Sequence, residues 1–214
     1  MSIAQRFSHH FRDKKWELFT QQFSFTKDAR VLDIGYQNDE YQDADNYLEK
    51  HYPHPEHITA LGIEESEQFQ QRYPMVKTVR YDGQHFPFSE NEFDIAWSNA
   101  TLEHVGTRAE QVQFLKEIYR TARSGFITTP NKGFPLEVHT RLPFIHWLPK
   151  PLFSAIVKML GKGWAAGEYM DLLSSRTLHV AVEAAGWENY TIHRQKFLGF
   201  TLQFIIVFHK NTSI

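Results

Sequence analysis

Polar residues follow four short apolar runs of the sequence, at the point where each run ends. They are Asp33 and Gly35, Glu64 and Glu65, Asp82 and Gly83, and Ser98 and Asn99. A carboxylate can accept hydrogen bonds from both hydroxyls of a ribose, and an Asp can accept one from the exocyclic amine of adenine. A strand that ends in Asp-x-Gly brings backbone close to a small polar ligand. Together these residue types predict a site for an adenosine-type ligand.

A ligand with phosphate groups fits the same residues less well. The sequence has no GxGxxG after the first apolar run and no GxxxxGK[ST] at any position. These are the glycine-rich loops that hold phosphates. Asp39 and Glu40 also follow the first run and would repel a pyrophosphate. The pattern therefore disfavours NAD, FAD and ATP. It tolerates S-adenosylmethionine (SAM), which has no phosphate and carries a sulfonium cation.

Buried strands alternate with helices along the chain. Short apolar runs predict seven strands, within 29–35, 57–65, 75–83, 93–100, 124–130, 189–194 and 202–210. Residues 38–52 are consistent with a helix plus a loop, and 108–122 form an amphipathic helix. A further helix over 174–185 starts at the serine pair and is ended by Gly186. This alternation predicts an α/β fold with a doubly wound, mostly parallel sheet and helices on both faces. Such sheets bind ligands at the carboxyl ends of their strands.

Composition and charge limit the kind of protein. The 214 residues predict a single domain, with a helical extension over 1–27 and an insertion over 132–172. With 23 basic and 25 acidic residues, the net charge of -2 gives no general reason to expect nucleic-acid binding. The absence of cysteine excludes disulfides and thiolate metal sites. No run reaches the ~18 apolar residues of a membrane span, and the N-terminus has no secretory pattern. We expect a cytoplasmic protein.

Several motifs resemble those of class I SAM-dependent methyltransferases, in particular the ubiquinone-methylase-like group. VLDIG at 31–35 is similar to the first motif of that family, and ITALGIEES at 58–66 to its second strand with an acidic end. The most specific match is YDGQHFPFSENEFDIAWSNATLEHV at 81–105, and FITTPN at 126–131 is similar to the fifth strand. The resemblance covers about 29–131 well and 174–209 loosely. It implies a Rossmann-like, seven-stranded sheet with an antiparallel last strand.

The resemblance also implies roles for individual residues, with SAM as the cofactor. Asp33 and Gly35, with Tyr36 beside them, would shape the methionine end of the site. Glu64 would hold the ribose with Glu65 flanking it, Asp82 and Gly83 would face the adenine, and Asn99 would lie near the methyl donor. The first motif departs from the family pattern Asp-x-Gly-x-Gly-x-Gly, because Gln37 and Asp39 stand where glycines are usual. Each carboxylate could instead be structural, capping a nearby helix or turn.

The insertion is rich in Pro, Phe, Leu and Trp, and in the family this region forms a lid or an acceptor-binding element. Within it His139 is a candidate general base for an acceptor hydroxyl, with Glu137 orienting it. The alternative is that His139 and His146 are packing residues. No metal site is expected, because these spacings match no known ligand pair. Residues 142–160 could also contact a membrane surface, with Trp147 and Lys150 at the interface.

We therefore expect an enzyme that transfers a methyl group to an oxygen or nitrogen of a small-molecule, glycan or lipid-linked acceptor. The alternative is a non-catalytic binding protein on the same fold, whose altered loop has lost or weakened SAM binding. A nicotinamide-dependent reductase is a third hypothesis, disfavoured by the missing GxGxxG and by Asp82-Gly83. The fold alone does not decide among them.

Overall fold

The computed structural model describes residues 3–41, 45–137, 140, 142–166 and 170–210, with 3–10 and 164 described by backbone alone. One sheet contains the strands β1 (Val31–Ile34), β2 (Ile58–Gly62), β3 (Lys77–Arg80), β4 (Phe93–Asn99), β5 (Ala122–Pro130), β6 (Tyr190–Phe197) and β7 (Phe200–His209). Their order is β3-β2-β1-β4-β5-β7-β6. Neighbours among β1 to β5 pair in parallel, and β7 is antiparallel to both β5 and β6. The predicted mostly parallel, seven-stranded sheet with an antiparallel last strand is confirmed.

The helices of the described residues are α1 (Ile3–Gln22), α2 (Tyr47–His51), α3 (Glu67–Arg72), α4 (Arg108–Thr121), α5 (Lys150–Met159) and α6 (Ser175–Ala184). Side-chain caps fix the starts of two of them. Thr107 and Glu110 form a capping box at α4, and Ser174 forms one with Thr177 at α6. The predicted serine cap of α6 is confirmed, and Gly186 follows that helix at a φ of +76°.

Two short helices lie between the first three strands. In the described part of the segment 38–52, for which a helix plus a loop is predicted, Asn46 has a φ of 51° and Tyr47–His51 is helical. The six-residue helix α3 was not predicted. It buries Phe69 alone, so it has no repeating apolar stripe that a sequence pattern could reveal. Both helices lie beside the loops that follow β1 and β2.

The alternation of side chains along each strand divides the core between two faces of the sheet. Val31 points to the face covered by α1, α2 and α3, whereas Leu32 and Ile34 point to the face covered by α4 and α6. On the first face, Trp97 stacks on Phe126 with ring centroids 5.1 Å apart. Burial of a large apolar side chain is worth roughly 1.5–3 kcal/mol. Two packed faces therefore hold the strand ends in fixed positions.

No helix among the described residues combines the length and the apolar character needed to cross a bilayer.

Candidate cofactor and acceptor site

The carboxyl ends of β3, β2, β1 and β4 lie side by side, because these strands are neighbours in that order and run parallel. The strand order changes direction between β1 and β4, which is where such sheets bind ligands. The predicted residues lie at or just after the ends of these strands in the same order: Asp82 and Gly83, Glu64 and Glu65, Gly35 and Tyr36, and Asn99. The topology therefore brings them to one edge of the sheet.

Gly35 sits where the chain leaves β1 and approaches the loop after β4. Its φ is +96°, and its N–H donates to the Leu61 carbonyl at 2.9 Å. A Cβ at this position would overlap Oγ1 of Thr101, whose hydroxyl donates to the Ile34 carbonyl at 3.1 Å. Both the backbone conformation and the close approach require glycine here.

The loop after Gly35 is held by the side chains of two asparagines, Asn38 and Asn46. Asn46 accepts from the N–H of Gln37 at 2.8 Å and donates to its carbonyl at 2.9 Å. Oδ1 of Asn38 accepts from the N–H groups of Gln68 and Phe69 at 3.1 and 3.2 Å, at the start of α3. The loop is thus a bonded turn, although two of the usual glycines are absent.

Glu40 in the same loop is surrounded by donors. Its carboxylate accepts from the Tyr73 hydroxyl at 2.6 Å and from Asn46 Nδ2 at 2.8 Å, and it pairs with Lys50 at 2.9 Å. Partial burial opposes ionisation, but these donors lower the pKa of Glu40 below its usual value. Lys50 offsets the negative charge that Glu40 brings to this loop, so Glu40 repels an anion less than expected.

Tyr36 joins the loop after β1 to the end of β2. Its ring is buried against Gly62, where a Cβ would overlap it, and lies 4.7 Å from the ring of Phe69. Its hydroxyl donates to the Glu64 carbonyl at 3.0 Å. Burial raises the pKa of the Tyr36 phenol. The side chain of Tyr36 therefore holds the backbone of Glu64 in place.

The ends of β2 and β3 expose carboxylates around an apolar side chain. Glu64 and Asp82 are exposed, whereas Glu65 forms an ion pair with Arg80. Oδ1 of Asp82 accepts from the N–H groups of Gln84 and His85 at 2.9 and 3.2 Å, which lowers the pKa of Asp82. Ile63 is 57 % exposed between them, and its Cγ2 lies 3.8 Å from where a Cβ of Gly83 would be. An exposed isoleucine flanked by carboxylates suits the flat face and polar edge of a purine.

A buried lysine from α1 reaches the end of β4. Nζ of Lys15 donates to Oδ1 of Asn99 at 2.7 Å, and the Thr128 hydroxyl donates to the same oxygen at 2.8 Å. Burial, with Arg12 nearby, lowers the pKa of Lys15 to about 8 although Glu103 opposes the shift. Lys15 was not predicted as a site residue. In the sequence it is one of two adjacent lysines before a tryptophan, and only the packing of α1 distinguishes them.

Asp33 lies within β1 and faces α2, where it meets a second buried carboxyl. Burial raises the pKa of Asp33 to about 7. Burial and the adjacent Asp33 raise the pKa of Glu49 well above its usual value. Within the described residues, neither carboxyl oxygen of Glu49 accepts a hydrogen bond from an N–H or O–H group. A proton shared between the carboxyls of Asp33 and Glu49 would supply the missing hydrogen bond. Such sharing is expected, because two like charges at one buried site disfavour ionisation of both groups. Glu49 was not predicted, since its sequence position is typical of an exposed helix residue.

The predicted general base, His139, lies outside the described residues. Its neighbour Glu137 is buried, and Oε2 of Glu137 accepts from the Thr140 N–H at 2.5 Å. Nε2 of His146 lies 3.0 Å from the Lys132 carbonyl, and burial lowers the pKa of His146. His146 thus contacts the backbone of the insertion. No group of three His, Asp or Glu side chains in the described part of the chain could hold a metal ion.

Comparison with known proteins adds one sequence match and many structural ones. Residues 46–127 match a family described as a methyltransferase domain. The match contains Glu64, Asp82 and Asn99, and begins after Asp33 and Gly35. No curated protein matches the sequence significantly.

Three solved structures illustrate the structural likeness. A SAM-dependent methyltransferase from Aquifex aeolicus is 16 % identical, with a TM-score of 0.55 over 89 % of this chain and 87 % of that one. One from Mesorhizobium loti is 13 % identical, with a TM-score of 0.59 over 90 % and 96 %. A phosphoethanolamine N-methyltransferase from Haemonchus contortus, solved with S-adenosylhomocysteine, is 12 % identical, with a TM-score of 0.58 over 86 % and 38 %. These structures confirm the Rossmann-like methyltransferase fold.

Together, the match over 46–127 and the likeness in fold indicate a methyltransferase domain and are consistent with SAM as its cofactor. The ubiquinone-methylase-like subgroup stays a prediction.

Proposed function

We propose that this chain, with the sequence match and fold of a class I SAM-dependent methyltransferase, methylates an oxygen or nitrogen of a small-molecule, glycan or lipid-linked acceptor. The observation that carries the proposal is the edge formed by the ends of β3, β2, β1 and β4. Asp82, Glu64, Gly35 and Asn99 lie at or just after the ends of these neighbouring strands. Along this edge, Asp82 with the exposed Ile63, then Glu64, then Gly35 match the adenine, the ribose and the amino-acid end of SAM in turn.

The residues of this edge have distinct roles in the proposal. Glu64 accepts from the ribose hydroxyls, and Asp82 accepts from the adenine amine while Ile63 packs on the ring. Gly35 leaves room for the amino-acid end beside Asn99. Lys15, which already donates to Asn99, supplies the positive charge for a carboxylate there. The ends of β2 and β3 are supported by Tyr36, Gly83 and Glu65. Asp33 supports the loop between β1 and α2 through its contact with Glu49 of α2.

When bound, SAM supplies a methyl group on a sulfonium that is already a good leaving group. The chain's own task is then to align the acceptor and to exclude water, which is a matter of proximity and orientation. The insertion over 132–172 lies next in the chain after β5 and is the proposed acceptor-binding element. His139 is the proposed base for a hydroxyl acceptor. A nitrogen acceptor that is already neutral needs no base.

Binding of SAM and S-adenosylhomocysteine, measured by titration calorimetry, tests the proposal. We expect micromolar binding that falls at least about tenfold in Glu64→Ala and Asp82→Ala, the loss of one hydrogen bond to a charged group. Glu67→Ala is the matched control, because it removes an exposed carboxylate of α3 just beyond the same loop. Binding that both site variants retain at full strength would place the cofactor elsewhere.

The alternative, a non-catalytic protein on this fold, is supported by the same loop. Asn38, Asn46 and Glu40 fill with side chains a turn that the family builds from glycine. A well-folded protein with no binding at millimolar SAM would favour this alternative. Binding followed by methyl transfer to an acceptor would exclude it.

A further inference from the structure

The insertion between β5 and α6 exposes a set of large apolar side chains. Seven of them are between 36 and 80 % exposed. We call the six that lie within 144–160 the apolar face: Phe144, Trp147, Leu148, Leu152, Met159 and Leu160. Leu152 and Met159 are seven residues apart on α5 with exposed Ala155 between them, so the three share one side of the helix. Exposed apolar groups of this kind mark interaction surfaces.

The other side of α5 is already occupied. Phe153 and Val157 are buried against Ala165 in a small core that the insertion builds from its own residues, separate from the two cores of the sheet. Two side chains fasten the preceding turn, since Nε1 of Trp147 donates to the Lys132 carbonyl at 2.7 Å and His146 contacts the same oxygen. The apolar face is thus a fixed surface that points away from the insertion's core.

The charged side chains of residues 138–167, the stretch that carries the apolar face, have one sign. From 138 through 167 the sequence contains four basic residues, Arg141, Lys150, Lys158 and Lys162, and no Asp or Glu. Lys150 and Lys158 are exposed at the two ends of α5. An apolar helix side with an interfacial tryptophan and flanking lysines is the pattern of an amphipathic helix that lies on an anionic bilayer.

A second copy of the chain is a poorer partner for the same surface. A two-fold dimer would place each apolar face against its counterpart, and so bring the lysines of one copy against those of the other. Like charges in close contact oppose association, whereas anionic lipid headgroups attract them.

We propose that the apolar face rests on an anionic lipid bilayer, with Lys150 and Lys158 against the lipid phosphates. This proposal does not depend on methyl transfer, because it concerns only the outer side of the insertion. It assigns the predicted membrane contact of 142–160 to particular side chains and to a lipid charge.

Co-sedimentation with large vesicles tests it, using phosphatidylcholine alone and phosphatidylcholine mixed with phosphatidylglycerol. The full chain should bind the anionic vesicles and release as salt is raised, with far less binding to the neutral ones. Lys150→Ala and Lys158→Ala should each lower partitioning about fivefold, and Leu152→Glu by at least about tenfold. Val180→Glu, at a 58 % exposed valine of α6, and Lys77→Ala, at an exposed lysine of β3, are the controls.

Three results would overturn the proposal. The first is absence of binding to either vesicle by the folded chain. The second is equal binding by Leu152→Glu and Val180→Glu, which would show that the apolar face is not the contact. The third is a dimer in sedimentation velocity that Leu152→Glu abolishes, since a second copy would then cover this surface.

Discussion

The buried pair of Asp33 and Glu49 predicts how the stability of the protein varies with pH. Burial raises the pKa of Asp33 from 3.8 to about 7, so the folded state keeps a proton that the unfolded chain loses above about pH 4. Stability contributed by this proton is therefore present at low pH and is lost as pH rises to about 7. Glu49, whose pKa is also raised, acts in the same direction.

Glu49→Gln is the perturbation that isolates this effect. The amide cannot lose a proton, so the variant lacks the pH-dependent loss of stability that Glu49 contributes. Burial still acts on Asp33, so the loss that Asp33 contributes remains in both proteins. A carboxyl that holds its proton only in the folded state contributes a slope of up to ~1.4 kcal/mol per pH unit, so the variant should gain on the wild type by up to that amount per unit above about pH 5. In a chain of this length, about 1 kcal/mol corresponds to about 2–4 °C in Tm.

Thermal unfolding followed by circular dichroism at several pH values measures the difference. We expect Glu49→Gln to gain on the wild type steadily as pH rises. The lowered pKa values of His146 and His209 affect both proteins alike and cancel in the comparison. Glu67→Gln makes the same chemical change at an exposed site and should show no trend. A Tm difference that is constant with pH, in both Glu49→Gln and Asp33→Asn, would refute the shared proton.

Three further predictions concern the site and its support. Gly35→Ala should weaken SAM binding and lower the free energy of unfolding by at least about 2 kcal/mol, because the new Cβ would overlap Thr101. Gly161→Ala is the control, since Gly161 also has a positive φ but has open space around it. It should lower the free energy of unfolding, measured by thermal unfolding, by only about 1 kcal/mol. Lys15→Met should lower the affinity for S-adenosylhomocysteine, measured by calorimetry, about tenfold. The affinity for methylthioadenosine, which lacks the carboxylate, should not change. Equal losses for both ligands would show that Lys15 does not contact the carboxylate. Phe19→Ala should lower the unfolding free energy by about 3–5 kcal/mol in denaturant titrations, since its buried ring lies 4.8 Å from Trp97 and 5.3 Å from Phe126; a loss below about 1 kcal/mol would mean that α1 is only loosely attached.

The sequence by itself determined the sheet. Consecutive apolar residues indicate a buried strand, and a polar residue or glycine after them indicates where the strand ends. The runs around Val31 and Ile58, and the one that starts at Phe93, each became a strand. Parallel strands then bring their carboxyl ends to one edge whatever the details of packing. For that reason the sequence alone places Glu64, Asp82 and Asn99 together, whereas their binding roles stay predictions.

The tertiary structure decided which side chains are removed from water and which partners they meet there. Lys15 and Glu49 lie in segments whose polar residues are usually exposed, and only the packing of α1 and α2 against the sheet buries them. Burial sets their ionisation, because a charged group loses its hydration unless a partner replaces it. The same holds for the turn around Asn38 and Asn46, whose hydrogen bonds join residues 9 and 30 positions apart in sequence. The periodicity of apolar residues reflects only neighbours along the chain, so it does not reveal contacts of this kind.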